Sequence, residues 1–288
     1  MASDVTAKIL IIGCGDLGTA VAQQLVQSGF QPIGVRRNTL AIDGVLMIQA
    51  DVTQPTTLES LRAIQPEIII YCVAANAQTD VAYKAAYVDG LCHVLATQAS
   101  SSNLKHVFFV SSTRIYGQST DTLLDETVLA IPADFGGERL LEAENLLKTL
   151  VCGATALRLS GIYGPERFRM INLAQSPERW PRQNSWSNRI HRDDAAAFIV
   201  FLIQQVLAGT TPQPYYIVTD SQPVTQYEVL NWIAAKLGTA PQTIPAAEGG
   251  KRLSNQAMLA TGFKLQYPTY QAGYQALLLN NLTADKTS

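Results

Sequence analysis

A chain of 288 residues with 47% hydrophobic and 15% charged residues can bury one large core, or a core and a smaller lobe, which excludes a largely disordered polypeptide. Its formal net charge of −2 provides no basic field, so nucleic acid and anionic membrane surfaces are excluded as partners and a small molecule is expected.

The first predicted strand, residues 8–12, runs into Gly13, Gly15 and Gly18, glycines spaced two and three apart. A turn with this spacing needs the first glycine for its tight bend. It needs the second so that backbone N–H groups can approach a pyrophosphate without a Cβ in the way, and the third so that the next helix packs closely on the strand. Leu17, Val21 and Leu25 follow at helical spacing and Ser28 with Gly29 ends the pattern. Gly15, Asp16 and Leu17 therefore open a helix N-terminus, which favours an anionic ligand.

A second strand is predicted over 32–35 and ends in Arg36 and Arg37. A site for NAD would place an Asp or Glu here to accept from the ribose 2′-hydroxyl. Two guanidiniums either clamp a 2′-phosphate, which makes NADP the expected cofactor with NAD left open, or stand solvated on the surface. Further strands are predicted over 46–49, 68–73, 106–110 and 155–159, and a long helix over 82–99 with Tyr83, Ala86, Tyr87, Leu91 and Leu95 at helical spacing. Six apolar runs alternating with helical patterns give an α/β fold with a doubly wound parallel sheet. Ligands of such sheets sit beyond the carboxyl ends of the strands. The residues there are Asp51 and Val52, Ala74 and Ala75, and the hydroxyl run Ser111, Ser112, Thr113.

These blocks resemble the NAD-dependent epimerase/dehydratase group of extended or atypical short-chain dehydrogenases/reductases, which includes enzymes of sugar nucleotides. The match takes in Gly13 to Gly18, Asp51-Val52, Ser111 to Gly117, Asp125-Glu126, Leu157-Arg158, Tyr163-Gly164-Pro165, Ile190 to Asp194, and Tyr215 to Val218 with Pro223-Val224-Thr225. The glycine turn is GxGxxG rather than the GxxGxxG of commoner members, which points to the atypical branch. The resemblance implies an NAD(P)-binding Rossmann domain over 1–165, to which helix 190–208 returns, and a substrate lobe made mainly of 166–288. It also implies a homodimer formed through two helices of the Rossmann domain.

Members of the family carry a Tyr and, four residues on, a Lys on one helix face, with a Ser or Thr at the end of the fifth strand. Ser112 matches the hydroxyl position, counted back from Tyr116-Gly117. Phe135 stands where the Tyr belongs and Arg139 where the Lys belongs. Phe135 donates no proton. Arg139 either supplies the cation that hydrogen-bonds the nicotinamide ribose or pairs with Glu142 on its own helix. Tyr116 and Tyr163 are the nearest substitutes for the missing phenol by sequence.

Beyond residue 165, Arg167, Arg169, Arg179, Arg182 and Arg189 with Trp180 and Trp186 suit an anionic ligand or form a solvated basic loop. His191, Asp193 and Asp194 are too few for a metal site, and one of the two aspartates is expected to cap a helix over 195–207. Another helix is predicted over 226–237, and residues 280–288 are expected to fray. Cys14, Cys72, Cys92 and Cys152 form no C-x-x-C pair, and three of them lie in apolar stretches where thiols are inert. Residues 1–4 make no charged leader, and the most apolar run, 68–75, is too short for a bilayer, so a soluble cytoplasmic protein is expected. The expected function is an NAD(P)-dependent oxidoreductase or epimerase of a small, sugar-like or nucleotide-linked substrate. The alternative is a catalytically silent NAD(P)-binding regulator or redox sensor.

Overall fold

The computed structural model describes residues 7–38 and 40–284. Seven strands form one sheet: β1 (Ile9–Ile12), β2 (Ile33–Arg36), β3 (Leu46–Gln49), β4 (Ile68–Tyr71), β5 (His106–Ser112), β6 (Gly153–Leu159) and β7 (Tyr215–Val218). Their spatial order is β7-β6-β5-β4-β1-β2-β3. β1 pairs in parallel with β2 and β4, β2 with β3, and β4 with β5. Between β6 and β7 the bonds from Ala156 N to Pro214 O and from Ser160 N to Val218 O keep one offset, so this pair is parallel as well. Every residue of β1 and β4 is buried, because a central parallel strand is covered on both faces and its sequence is apolar without alternation. The order reverses between β1 and β4, which makes their carboxyl ends the ligand crevice of the sheet.

β5 runs two residues past its predicted end, because Ser111 and Ser112 are polar yet continue the strand. The block 215–218 supplies a seventh strand beside β6. The long helix expected over 82–99 is interrupted: α2 (Asp80–Tyr83) passes through a π turn (Lys84–Asp89) into α3 (Gly90–Thr97). The Tyr71 hydroxyl donates to the Ala86 carbonyl at 2.5 Å and holds the widened turn. A Cβ on Gly90 would lie 2.6 Å from that same hydroxyl and 2.8 Å from Val52 Cγ2, so only glycine fits there.

The chain divides into two compact units. The first comprises the chain up to Gly117, Ala130–Arg158 and Ala196–Tyr216; the second comprises Gln118–Leu129, Leu159–Ala195 and the chain from Ile217 on. The division therefore falls earlier than residue 165, and the first unit takes back a segment that starts at Ala196.

In the first unit, helix α4 (Phe135–Leu147) is tied to the sheet by buried charge. Arg158 of β6 bonds Glu144 of α4 through Nη2 at 2.8 Å, with side-chain exposures of 5% and 1%. The Ser111 hydroxyl donates to Glu144 Oε1 at 2.6 Å, Arg158 Nη1 donates to the Tyr116 hydroxyl, and the guanidinium lies 4.1 Å from the Tyr215 ring centroid.

In the second unit Tyr163, Ile171, Trp180, Leu230, Ile233, Tyr270 and Tyr274 share one core. The helix Gln226–Lys236 starts at a capping box in which Thr225 and Glu228 bond reciprocally. The helix Arg192–Leu207 begins before either expected cap. Asp194 is buried and accepts from the backbone N–H groups of Gln266 and Tyr267, both at 2.8 Å, so it staples a distant loop instead of capping. The helix Tyr270–Ala284 continues through part of the stretch expected to fray; residues 285–288 and 1–4 lie outside the described residues. Cys14 is buried, and burial pushes its thiol up to about 11, whereas Cys92 is exposed on α3, contrary to its apolar surroundings in sequence.

Glu144→Ala leaves the Arg158 charge buried without its partner and lowers stability by about 3–5 kcal/mol, read by chemical denaturation; the double variant Glu144→Leu with Arg158→Met regains most of it. Burial pushes Asp220 up to about 7, only partly offset by Arg189. An unfolded Asp ionises near pH 4, so this group's contribution is present below that pH and is lost as pH rises toward 7. The stability advantage of Asp220→Asn over the parent therefore widens between about pH 4 and pH 7 and levels off above, as thermal melts at stepped pH will show.

Candidate active site

The three glycines of the turn between β1 and α1 (Asp16–Gln27) are required for three different reasons. Gly13 has φ +98°, and a Cβ there would meet the Cys72 carbonyl at the end of β4. A Cβ on Gly18 would strike the Gly13 carbonyl, which sets how closely α1 lies on the turn. A Cβ on Gly15 would meet nothing within 4 Å. Gly15 is also the N-cap of α1 and provides no side-chain cap, so its open side faces the positive end of a helix. This is a cradle that fits a pyrophosphate. Leu17 is buried, so only its backbone can face such a ligand; Asp16 is exposed.

Arg36 ends β2 half-buried and Arg37 is exposed. Arg37 lines a cavity of about 360 Å³ with Gln49, Ala50, Asp51, Gln54 and Thr57. The Asp51 carboxylate accepts from Thr53 N at 2.9 Å and Thr53 Oγ1 at 2.8 Å, and its backbone N–H donates to Thr57 Oγ1 at 2.9 Å, so this wall is a fixed turn. Val52 is buried against α3, with its carbonyl 2.8 Å from His93 Nδ1; its side chain packs the core and does not face the cavity lining. At the end of β4, Ala74 is exposed and Ala75 half-buried.

At the end of β5 the two serines part. Ser111 is turned inward onto Glu144, so its hydroxyl belongs to the buried network and not to a ligand surface. Ser112 is half-buried, and its Oγ accepts from Arg114 N at 3.2 Å. Phe135 opens α4, behind the N-cap Asp134. Arg139 realises the Glu142-paired alternative and adds a second carboxylate: Nη1 reaches Glu142 Oε2 at 2.7 Å, while Nε and Nη2 bond Asp80 at 2.7 and 3.0 Å.

Neither tyrosine offered as a substitute is available for proton exchange. Tyr116 is wholly buried and bonded to Arg158; Tyr163 is buried in the second unit against Tyr274 and His191, and burial drives its phenol far above the ordinary value. The basic segment of the second unit also separates, since Arg189 and Trp180 are core residues while Arg167, Arg169, Arg179 and Arg182 are exposed. The sequence alone missed Arg114. Its guanidinium lies 5.3 Å from the Phe135 ring and 5.2 Å from the Tyr83 ring, bonds Asp134 through Nε at 2.9 Å, and donates to the Tyr83 hydroxyl at 2.8 Å. The Arg-x-Tyr-Gly stretch directly after the hydroxyl run was the only signal for it. Among the described residues no group of three or more His, Cys, Asp or Glu could hold a metal ion, and no helix is long and apolar enough to cross a membrane.

No protein of curated function matches this sequence. Among solved structures, a protein from Methylobacillus flagellatus, provisionally described as an NAD-dependent epimerase/dehydratase, is 48% identical with a TM-score of 0.88, covering 95% of this chain and 98% of the other. The fold alone is shared with the Thermus thermophilus UDP-glucose 4-epimerase in complex with NAD (18% identity, TM-score 0.74, 92% and 96% covered). It is shared equally with the Bordetella bronchiseptica enzyme WbmG in complex with NAD and UDP (15%, 0.77, 94% of both chains). The family model of the RmlD substrate binding domain matches residues 7–257, and with a doubly wound sheet and a dinucleotide turn already in place, the chain belongs to that family of NAD-dependent epimerase/dehydratase-like proteins.

Proposed function

We propose that this chain is an NAD(P)-dependent oxidoreductase or epimerase of a small, sugar-like or nucleotide-linked substrate. The observation that carries this reading is the glycine cradle, in which Gly15 alone of the three glycines opens onto free space at a helix N-terminus. Backbone N–H groups of Asp16 and Leu17 would hold the pyrophosphate, the Gly15 N–H being bonded to the Gly13 carbonyl at 2.8 Å, and Arg36 and Arg37 the adenosine-ribose end, with the cavity beside Arg37 next to it. The nicotinamide, when bound, supplies the hydride acceptor or donor. The sugar-nucleotide class is supported by relatives of the same fold, of which one was solved with UDP and another is a UDP-glucose 4-epimerase. NADP is favoured over NAD because no carboxylate follows β2 and two guanidiniums do.

Phe135 and the double pairing of Arg139 favour a second reading, a silent dinucleotide-binding regulator. A thiol sensor at the turn is not supported, since the Cys14 thiol is buried and pushed up to about 11, far from the thiolate that redox chemistry needs. Turnover of a sugar nucleotide by the parent decides between the two readings.

Gly15→Val abolishes dinucleotide binding in a fluorescence titration and leaves the unfolding midpoint nearly in place, because the branched side chain enters the cradle from a Cβ that meets no protein atom within 4 Å. The parent binds NADPH more tightly than NADH by roughly ten- to hundred-fold, the equivalent of about 1.5–3 kcal/mol of charge-assisted bonding, and Arg36→Ala with Arg37→Ala removes the difference. Equal affinity of the parent for both cofactors would make the arginines surface residues only.

A further inference from the structure

The proposed reaction needs a group that exchanges a proton with a substrate oxygen, and this inference rests on that reading. At the carboxyl ends of β4 and β5 most oxygens are committed. Asp80 and Glu142 hold Arg139, Asp134 holds Arg114, and the Tyr116 hydroxyl faces Arg158 in the core. Tyr87 hydrogen-bonds the backbone of Ala75, and the Ser112 Oγ accepts from the Arg114 backbone N–H.

Tyr83 is a buried residue too, but unlike Tyr116 and Tyr163 its hydroxyl meets a side chain, Gln78, that is itself exposed. Its ring stands edge-on to Phe135 with centroids 5.4 Å apart, so its phenol lies one ring away from the position where the family carries its own. Its hydroxyl accepts from Arg114 Nη1 at 2.8 Å and donates to Gln78 Oε1 at 3.0 Å. An arginine stays charged at any pH the protein meets, and a guanidinium at hydrogen-bond distance stabilises an oxygen that becomes negative. Gln78 is exposed, and its amide oxygen accepts a hydrogen bond but does not carry a proton away, so a substrate oxygen can take its place without competing for charge. The backbone is shaped to admit this pair. A Cβ on Gly136 would occupy the Arg114 guanidinium, and a Cβ on Gly137 would lie 2.8 Å from the Arg114 carbonyl. Asp134 fixes the same guanidinium by accepting at 2.9 and 3.1 Å from Nε.

We propose that Tyr83, held by Arg114, is the phenol that exchanges a proton with the substrate oxygen in this chain. In the oxidising direction Tyr83 enters as the phenolate, its own proton having gone to solvent, and the substrate O–H bond breaks as its proton passes to Tyr83 Oη. The hydrogen on the same carbon leaves with its electron pair to the oxidised nicotinamide, and a C=O bond forms. In the reducing direction Tyr83 Oη gives its proton to the carbonyl oxygen as the hydride returns to carbon. Arg114 remains beside Oη through both.

The test uses the full-length chain with NADP⁺ or NAD⁺ as the probe, whichever binds, and three variants: Tyr83→Phe, Phe135→Tyr, and the two together. Protein carrying ¹³C at the tyrosine Cζ reports on the phenol without any turnover, the Tyr83 resonance being the one missing from Tyr83→Phe. Saturation with the oxidised cofactor shifts that resonance. In a sugar-nucleotide panel Tyr83→Phe keeps its cofactor affinity and unfolding midpoint but loses about 10²- to 10⁴-fold in kcat with KM little changed, and adding Phe135→Tyr restores part of the loss. A Tyr83 resonance that stays put while the cofactor saturates overturns the proposal whether or not a substrate is found, and so does undiminished turnover by Tyr83→Phe. Absence of any dinucleotide binding by the parent instead removes the functional reading itself, and this inference falls with it.

Discussion

The arrangement of the candidate site depends on two charges buried inside the first unit. Arg158 and Glu144 are taken out of water together, and neither is tolerable alone, so α4 cannot slide along the sheet without breaking a pair that costs several kcal/mol to separate. The pair also collects Ser111 from β5 and faces Tyr215 from β7. Three strands and one helix are thereby held at a single point. Everything placed by the first turn of α4, including Phe135, the Gly136-Gly137 pair and Arg139, inherits that position.

A second constraint acts at the other end of the site. The turn after β1 is wedged between the Cys72 carbonyl and the start of α1, so Gly13 and Gly18 are fixed by contact with protein while Gly15 is left open by it. The distinction matters for interpretation, because the same three-letter pattern would be written by a tight turn that binds nothing. Here only one of the three glycines faces space, and it caps a helix without a capping side chain of its own. The Arg37 cavity with its fixed Asp51 turn lies at other strand ends of the first unit, the place where the proposed reading puts the adenosine-ribose end of the cofactor.

Much of the fold was legible because central parallel strands are buried on both faces, and runs such as 9–12 and 68–71 are then continuous in sequence. Their ends were less so: Ser111 looks like a surface hydroxyl, and only the far-off Glu144 explains why it is inside. The π turn was invisible for the same reason, since its cause is Tyr71, 15 positions before the carbonyl it holds. Asp194 resembled a cap because a helix follows it, but its partners lie more than 70 residues away. The candidate site was written in the sequence where one segment makes it, as in the glycine turn. Where three segments make it, as with Tyr83, Arg114 and Asp134, pattern and spacing carry no trace of the contact.

The replacement of a phenol by Phe135 does not stand alone. A chain that had merely lost a hydroxyl there would leave its surroundings as they were, with room for a tyrosine and a lysine-like cation pointing at it. Instead Arg139 is bound by Asp80 and Glu142, and a different cation has been brought in over the Phe135 ring by way of two glycines that admit it. The Arg114 guanidinium is satisfied by Asp134, Gln78 and Tyr83, as a half-buried charge must be. A new phenol with its own charge partner thus stands next to the old position. On the proposed reading, the Arg139 pairing that by itself favours a silent chain is matched by a second phenol and cation at the neighbouring residues.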